Sequence, residues 1–277
     1  MSGVVYDKSG VALYAAYNKA GASLQSVYDI GGNEIPFPEP VDPSIFVDTA
    51  VVTALPSISV SGIKQGACTD DTYIYQIVFD SSAYTSGKFI KYRISDGTYT
   101  TTTFDGSVNF GHGNDMAYNP NNNHIYVLCM VESGDVQELD TNFNYIATHH
   151  LKNANGEPYR SYRLCFDRLT NQFISGLGIY DTMLVFNQEL EYVSTITVPP
   201  QPDSTGQGCE TDGDFIYRLT YNPNYVDVLT IDGEPVKTIN LPVSGEPESI
   251  MYNWSSGEFY IGRNVNSGLF SKVQLKA

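Results

Sequence analysis

The run Asp115-Met116-Ala117-Tyr118-Asn119-Pro120-Asn121-Asn122-Asn123-His124-Ile125-Tyr126-Val127 reads as strand, turn, strand. Its ends are short and rich in apolar and aromatic residues, whereas its middle is Asn and Pro, which set the backbone angles of a tight turn. The pattern recurs along the chain. First strands stand at Arg163-Leu164-Cys165-Phe166 and Ser249-Ile250-Met251-Tyr252, and second strands at Tyr73-Ile74-Tyr75, Gln172-Phe173-Ile174, Phe215-Ile216-Tyr217 and Glu258-Phe259-Tyr260-Ile261. Units begin near Gln65, Gly111, Tyr159, Gly206 and Gly245, about 40 to 48 residues apart, the period of a four-stranded repeat. Outer strands rich in Thr and Val close four units, over 98–104, 145–151, 192–198 and 236–241. The fifth unit has three strands, and the upstream segment Val51-Val52-Thr53-Ala54-Leu55 resembles Lys237-Thr238-Ile239-Asn240-Leu241. The expected fold is all-β, a five-bladed β-propeller over 41–277, with strand 51–55 joining the last blade so that no ragged edge remains.

Composition agrees with sheets and turns: 21 Tyr and 24 Gly in 277 residues, with only 17% charged. The net charge of -16 and the scattered Lys and Arg leave no basic patch to neutralise phosphates, which excludes nucleic-acid binding. No apolar run reaches membrane-spanning length, and no secretory signal is read at the start. Cys68, Cys129, Cys165 and Cys209 are widely spaced without a C-x-x-C, so buried free thiols are expected rather than zinc or disulfides.

Residues 1–35 carry a shorter repeat. Tyr6-Asp7, Tyr17-Asn18 and Tyr28-Asp29 recur every 11 residues, in step with Gly10, Gly21 and Gly32 and then Leu13, Leu24 and Ile35. A Gly in each unit, preceded by a polar turn former, favours short hairpins or a β-spiral over a helix. Such units cannot bury a core alone, so 1–35 is expected to associate with copies of itself, a trimer for example, or with a docking partner. Pro36 to Pro43, with four prolines among eight residues, follows as an extended spacer. The anchor and spacer together span 1–40.

The turn and strand from Tyr118 to Val127 resemble propeller repeats of the NHL and YVTN kind. The Tyr-Asp-x-x-Gly-x-x-Leu units resemble those near the N-termini of phage and prophage tail, fibre and appendage proteins. The second resemblance implies a virion component, assembled in the host cytoplasm and attached to other virion proteins through 1–35, whose propeller binds a host-surface glycan or a protein.

Residues just before each first strand surround one mouth of a propeller channel, so they converge from distant sequence positions. These are Gln65, His112, Asn114, Asp115, Arg160, Tyr162, Arg163, Gln207, Glu210, Glu246 and Glu248, expected to form a small polar ligand site. Asp70 and Asp212 fall at equivalent places in two Gln-Gly-x-x-Thr-Asp runs and read as turn caps. His149 and His150 alternate across an outer strand and cannot chelate one ion together. Loop tyrosines Tyr159, Tyr162, Tyr180, Tyr221 and Tyr225 are candidates for stacking on a ligand. No catalytic residue, metal or cofactor is assigned. Two rival readings remain open: a propeller hydrolase that processes glycans through the His112 and carboxylate cluster, and a bacterial surface scaffold.

Overall fold

The computed structural model describes residues 41–177, 182–201 and 205–277, together with four strands of the first forty residues. Those four strands, β1 (Val4–Tyr6), β2 (Ala12–Tyr14), β3 (Val27–Tyr28) and β4 (Glu34–Ile35), pair as an antiparallel meander. The turns joining them, the spacer and any stem contacts between chains lie outside the described residues. The chain divides into two compact units, Met1–Asp42 and Pro43–Ala277.

The larger unit is all-β. β5 (Phe46–Ala54) comes first, followed by β6 (Ile63–Thr69), β7 (Tyr73–Phe79), β8 (Gly87–Arg93) and β9 (Tyr99–Phe104) as one antiparallel sheet. β10 (Asp115–Asn119), β11 (His124–Leu128), β12 (Asp135–Asp140) and β13 (Tyr145–His150) form the next, with the Asn-rich turn joining β10 to β11. A further sheet follows: β14 (Arg163–Asp167), β15 (Gln172–Gly176), β16 (Thr182–Phe186) and β17 (Tyr192–Thr197). The remaining strands are β18 (Thr205–Thr211), β19 (Phe215–Tyr221), β20 (Tyr225–Thr230), β21 (Pro235–Asn240), β22 (Glu246–Asn253), β23 (Glu258–Asn264) and β24 (Phe270–Lys276). With β5 they make one eight-stranded sheet, ordered β18-β19-β20-β21-β5-β24-β23-β22.

This differs from five separate sheets, and the difference has a local cause. β5 lies antiparallel along β24, from Ser271 opposite Ala54 to Gln274 opposite Val51, as the resemblance of 51–55 to an outer strand implies. Its other edge meets β21 in a single parallel pair, Asn240 with Thr49, and that pair alone fuses two four-stranded halves. The first strands pack in a closed cycle, β6 beside β10, β10 beside β14, β14 beside β18, β18 beside β22 and β22 beside β6.

Each sheet is covered on both faces, so inner strands read as continuous apolar runs instead of alternating. The core lies in the seams between sheets. Cys68, Tyr75 and Phe89 pack against Ile125, Val127 and Leu139, while Ala67, Ile74 and Ile90 pack against Met251, Tyr260 and Phe270. Outer strands β9 and β13 expose most of their residues, which explains their Thr-rich composition. The four cysteines are buried and unpaired. Asp70 Oδ1 accepts from the Thr72 and Tyr73 amides, and Asp212 Oδ1 from those of Asp214 and Phe215; Tyr75 and Tyr217 hydroxyls reach the other oxygens. Both aspartates therefore cap turns.

Phe46 anchors β5 by an edge-on contact with Phe215, ring centroids 5.0 Å apart, and is buried. Replacing Phe46 by Ala is expected to lower the unfolding free energy by about 3–5 kcal/mol, the usual cost of a large aromatic cavity. Urea unfolding checks this, and an unchanged midpoint would show that β5 does not hold the last sheet through its packing.

Candidate functional site

The first strands share a register that places the site. Cys68 stands opposite Tyr75, Ala117 opposite Tyr126, Phe166 opposite Phe173, Glu210 opposite Tyr217 and Met251 opposite Tyr260. Counting back along each first strand from these aromatic-faced positions by three residues gives Gln65, Asn114, Arg163, Gln207 and Glu248. One polar, buried residue from each first strand thus forms a girdle at the end where those strands begin. Three of the five reach toward the next sheet of the cycle. Asn114 Nδ2 donates to Tyr162 O at 2.6 Å, Arg163 Nε to Gln207 O at 2.9 Å, and Gln207 Nε2 to Glu246 Oε1 at 3.0 Å.

Directly beneath the girdle the axis is shut. The Asp115 carboxylate accepts from the amides of Leu164 at 2.8 Å, Cys209 at 3.0 Å and Met116 at 3.0 Å. Gly66 and Gly208 flank it so closely that a Cβ on Gly66 would lie 2.6 Å from Asp115 backbone carbon, so only glycine fits there. Burial pushes the Asp115 carboxyl well above the usual range, with the three amides pulling the other way. Asp115 is accordingly a plug and not a ligand contact.

Glu246 and Glu248 carry the chemistry of the upper mouth. Burial raises the Glu248 carboxyl well above the normal carboxylate range, and the charge and hydrogen bond of Glu246 raise it further, while Asn264 opposes the shift. Glu248 therefore favours its protonated form. Three buried oxygens in this region have no hydrogen-bond partner: Gln65 Oε1, Gln76 Oε1 and Glu248 Oε1. The two amide oxygens only accept, whereas Glu248 Oε1 accepts or, when it carries the proton, donates. Gln76 Nε2 and Ser249 Oγ both donate to Gln65 O, and the Lys64 amide to Asn264 Oδ1, so the sheets of β6 and β22 are bonded together at this point.

His112 is held on both sides, by Asn114 Oδ1 at 2.9 Å from Nδ1 and by the Tyr84 hydroxyl at 2.8 Å from Nε2. An amide oxygen only accepts, so Nδ1 carries the hydrogen and Nε2 takes the Tyr84 proton. Burial lowers the His112 pKa and keeps the ring neutral. Tyr84 sits at φ 53°, a left-handed conformation uncommon outside glycine and enriched at functional sites. Arg160 pairs with the exposed Glu132 and lies over the Tyr162 ring at the rim.

The structure separates some residues that the sequence grouped. Glu210 lies beyond the Asp115 plug, in the opposite mouth, because it occupies the aromatic-faced position three residues after Gln207. Arg163 belongs to the girdle but is sealed in, donating also to Gln201 Oε1 and Leu219 O, and burial pushes it down to about 10. Gln65, His112, Asn114, Tyr162, Gln207, Glu246 and Glu248 share the upper mouth, with Arg160 at its rim. Tyr84, Gln76 and Asn264 join them from second strands and loops, positions with no repeat signal in the sequence. Tyr159 is buried, Tyr221 and Tyr225 lie within strands, and Tyr180 falls outside the described residues. His149 and His124 each meet one oxygen of Glu138, at 2.7 Å, while His150 pairs separately with Asp135. Among the described residues no group of three or more His, Cys, Asp or Glu is arranged to hold a metal ion.

No family model and no curated protein matches this chain. Among solved structures it is similar to a glutaminyl cyclase from Myxococcus xanthus, with a TM-score of 0.61 and 13% identity over 82% of this chain and 97% of that one. Weaker likenesses are to virginiamycin B lyase from Staphylococcus aureus, TM-score 0.43, 10% identity, 99% of this chain and 94% of that one, and to a streptogramin B lyase, TM-score 0.44, 12% identity, 99% and 93%. The first likeness establishes a propeller-like all-β fold.

Glu210 gives the second prediction. Desolvation raises its carboxyl to about 8, against 4.5 in the unfolded chain, so from about pH 4.5 upward the unfolded state loses a proton that the folded state keeps. Its contribution is favourable in acid and is lost as pH rises toward 8. The melting temperature of Glu210→Gln is expected to fall less between pH 5 and 8 than that of the parent chain, and parallel profiles from scanning calorimetry would rule this out.

Proposed function

We propose that the eight-stranded sheet represents two blades joined at one residue pair, that the fold is a five-bladed propeller, and that its upper mouth is an acid–base site for a small polar substrate bearing a free amine. The observation that carries this is Glu248. It is buried, has its carboxyl pushed up by burial and by the neighbouring Glu246, and leaves Oε1 without a partner, the combination of perturbed titration and unused bonding capacity that marks functional carboxyls. The unpartnered side-chain oxygens of Gln65 and Gln76 beside it call for a donor such as an amine.

Glutaminyl cyclisation, the activity named for the similar structure, suits this chemistry and is the reaction to test first. The terminal amine attacks the side-chain carboxamide carbon, the C–N bond to the amide nitrogen breaks, and ammonia leaves. In this reading the Glu246 carboxyl takes the proton of the attacking amine, Glu248, which burial keeps protonated, gives one to the departing nitrogen, and a proton passing from Glu246 to Glu248 resets the pair. Neutral His112 fixes Tyr84, whose hydroxyl proton it accepts, and Asn114 fixes His112. Glycan hydrolysis fits less well, since its two carboxyls stand about 5 Å or more apart and Glu246 and Glu248 are in hydrogen-bond contact.

With a peptide carrying N-terminal Gln, ammonia release is expected from the full chain and a loss of at least about 100-fold in kcat for Glu248→Gln, in line with a lost acid–base group. Failure of the parent chain to release ammonia from a panel of such peptides would remove this reading.

A second reading, attachment of the chain to a virion as an appendage that binds host-surface glycan, is favoured by the separate unit Met1–Asp42 with its 11-residue repeat. A four-stranded meander of two- and three-residue strands is too small to be stable by itself. Light scattering is expected to show an oligomer for the full chain and a monomer once residues 1–40 are removed. A monomer in both cases would overturn self-association.

A further inference from the structure

The free bonding groups of the upper mouth are of two kinds, and they stand at different places. On the side of β6, β7 and β22, Gln65 Oε1 and Gln76 Oε1 are buried acceptors without a partner, beside Glu246 and Glu248. At the rim, Arg160 Nε is a buried donor without one. Arg160 comes from the segment before β14, which packs between β10 and β18 in the cycle and so stands across the mouth from β6 and β22.

A guanidinium offers several N–H donors in a fixed plane. Among the described residues Arg160 uses one of them, from Nη1 to Glu132 Oε1 at 2.6 Å. Glu132 is almost fully exposed, so this pair balances the charge of Arg160 at the surface and leaves Nε unused. The ring of Tyr162 lies under the guanidinium, 5.4 Å from its carbon to the ring centroid, and orients its plane. Tyr162 O in turn receives Asn114 Nδ2, and Asn114 Oδ1 holds His112. Arg160 is thereby tied to His112 through two residues. Glu246 and Arg160 both act on the His112 ring, in opposite directions, so both charges lie close to it. Neutral His112 therefore sits between an accepting side and a donating side.

We propose that Arg160 is a specificity residue whose Nε donates to a neutral carbonyl oxygen of the ligand, so that the upper mouth takes an α-amino-acyl group, the first residue of a peptide. This rests on the reading of that mouth as a site for a free amine. In such a group one carbon bears both the amine and the acyl carbon. The amine supplies hydrogens to Gln65, Gln76 and Glu246, and the carbonyl supplies the acceptor that Arg160 lacks. A simple amine leaves Nε unmet, and a buried donor left unmet costs more than a made bond gains. A carboxylate is the poorer match, because Glu132 already balances Arg160 and because Glu246 and a net charge of -16 repel a further anion.

Ethylamine, alaninamide and alanine share a methyl group and an amine-bearing carbon, and differ in carrying hydrogen, a neutral carbonyl or a carboxylate beside the amine. None has a side-chain carboxamide, so none is consumed by the proposed cyclisation, and titration calorimetry of the full chain near neutral pH reads their binding alone. Alaninamide is expected to bind at least about tenfold more tightly than ethylamine or alanine, the worth of one hydrogen bond to a charged donor. Arg160→Ala is expected to abolish that advantage and to leave ethylamine binding unchanged, whereas a purely structural role for Arg160 would weaken both ligands alike. Equal binding of ethylamine and alaninamide, tightest binding of alanine, or an advantage that survives Arg160→Ala would each overturn the role of Arg160 while the amine site stands. Absence of binding by all three would remove the amine site itself, and this inference with it. The comparison of ligands on the parent chain decides the matter even where the variant does not fold.

Discussion

The cycle of first strands closes around Asp115. A single carboxylate collects amides from its own strand and from β14 and β18, which draws these three strands together. Buried amides must find acceptors, and here one acidic residue serves as the hub for several. Three of its four neighbours in the same layer are small, Gly66, Gly208 and Ser249, and the fourth, Leu164, meets it through its amide. Everything above and below inherits its position from this layer. The girdle residues come one step earlier along the strands, and the aromatic-faced positions two steps later.

Asp115 stands between the two mouths, and these differ in chemistry. The upper one gathers amides, a neutral histidine and the buried Glu248 carboxyl beside Glu246. The lower one is aromatic, with a stacked arginine, Arg168, neutralised by Asp71 and one carboxyl left over. Both raised carboxyls, Glu248 and Glu210, owe their shift first to burial, yet only Glu248 has a second carboxylate against it.

Much of the fold was legible in the sequence because its signals are local and repeated. The turn at Asn119 to Asn123 and the apolar runs beside it recur with little change, and the outer strands advertise their exposure through Thr and Val. The pairing of 51–55 with the last sheet was legible for the same reason, since an outer strand keeps its composition wherever it sits in the chain. The single Asn240–Thr49 bridge was not, because one backbone pair leaves no trace in side-chain pattern. For the site, the sequence grouped Gln65, Asn114, Arg163, Gln207 and Glu248 among residues preceding first strands, but only Asn114 precedes one, and the other four lie within β6, β14, β18 and β22, whose polar early residues hid where those strands begin. Glu210 was misplaced because the β-bulge in β18 between Gly206 and Cys209 obscures where the strand's register begins. Tyr84 and Gln76 had no signal: their role arises from reaching across a seam, which the sequence of one sheet does not encode.

The overall charge of -16 bears on both mouths. An acidic surface raises the local concentration of cations and lowers that of anions, most strongly in concave places with low-dielectric walls. The upper mouth presents the unpartnered oxygens of Gln65 and Gln76 beside Glu246, which suit the hydrogen-donating ligand proposed for it better than an acidic one. Arg160 at the upper rim does not reverse this, since Glu132 holds its guanidinium in an exposed pair of small energetic weight. Arg163 does not either, because its guanidinium is turned into the protein toward carbonyl oxygens. The unpartnered oxygens of Gln65 and Gln76 therefore favour a hydrogen donor at the girdle, while the buried, unpartnered Nε of Arg160 leaves one donor free at the rim.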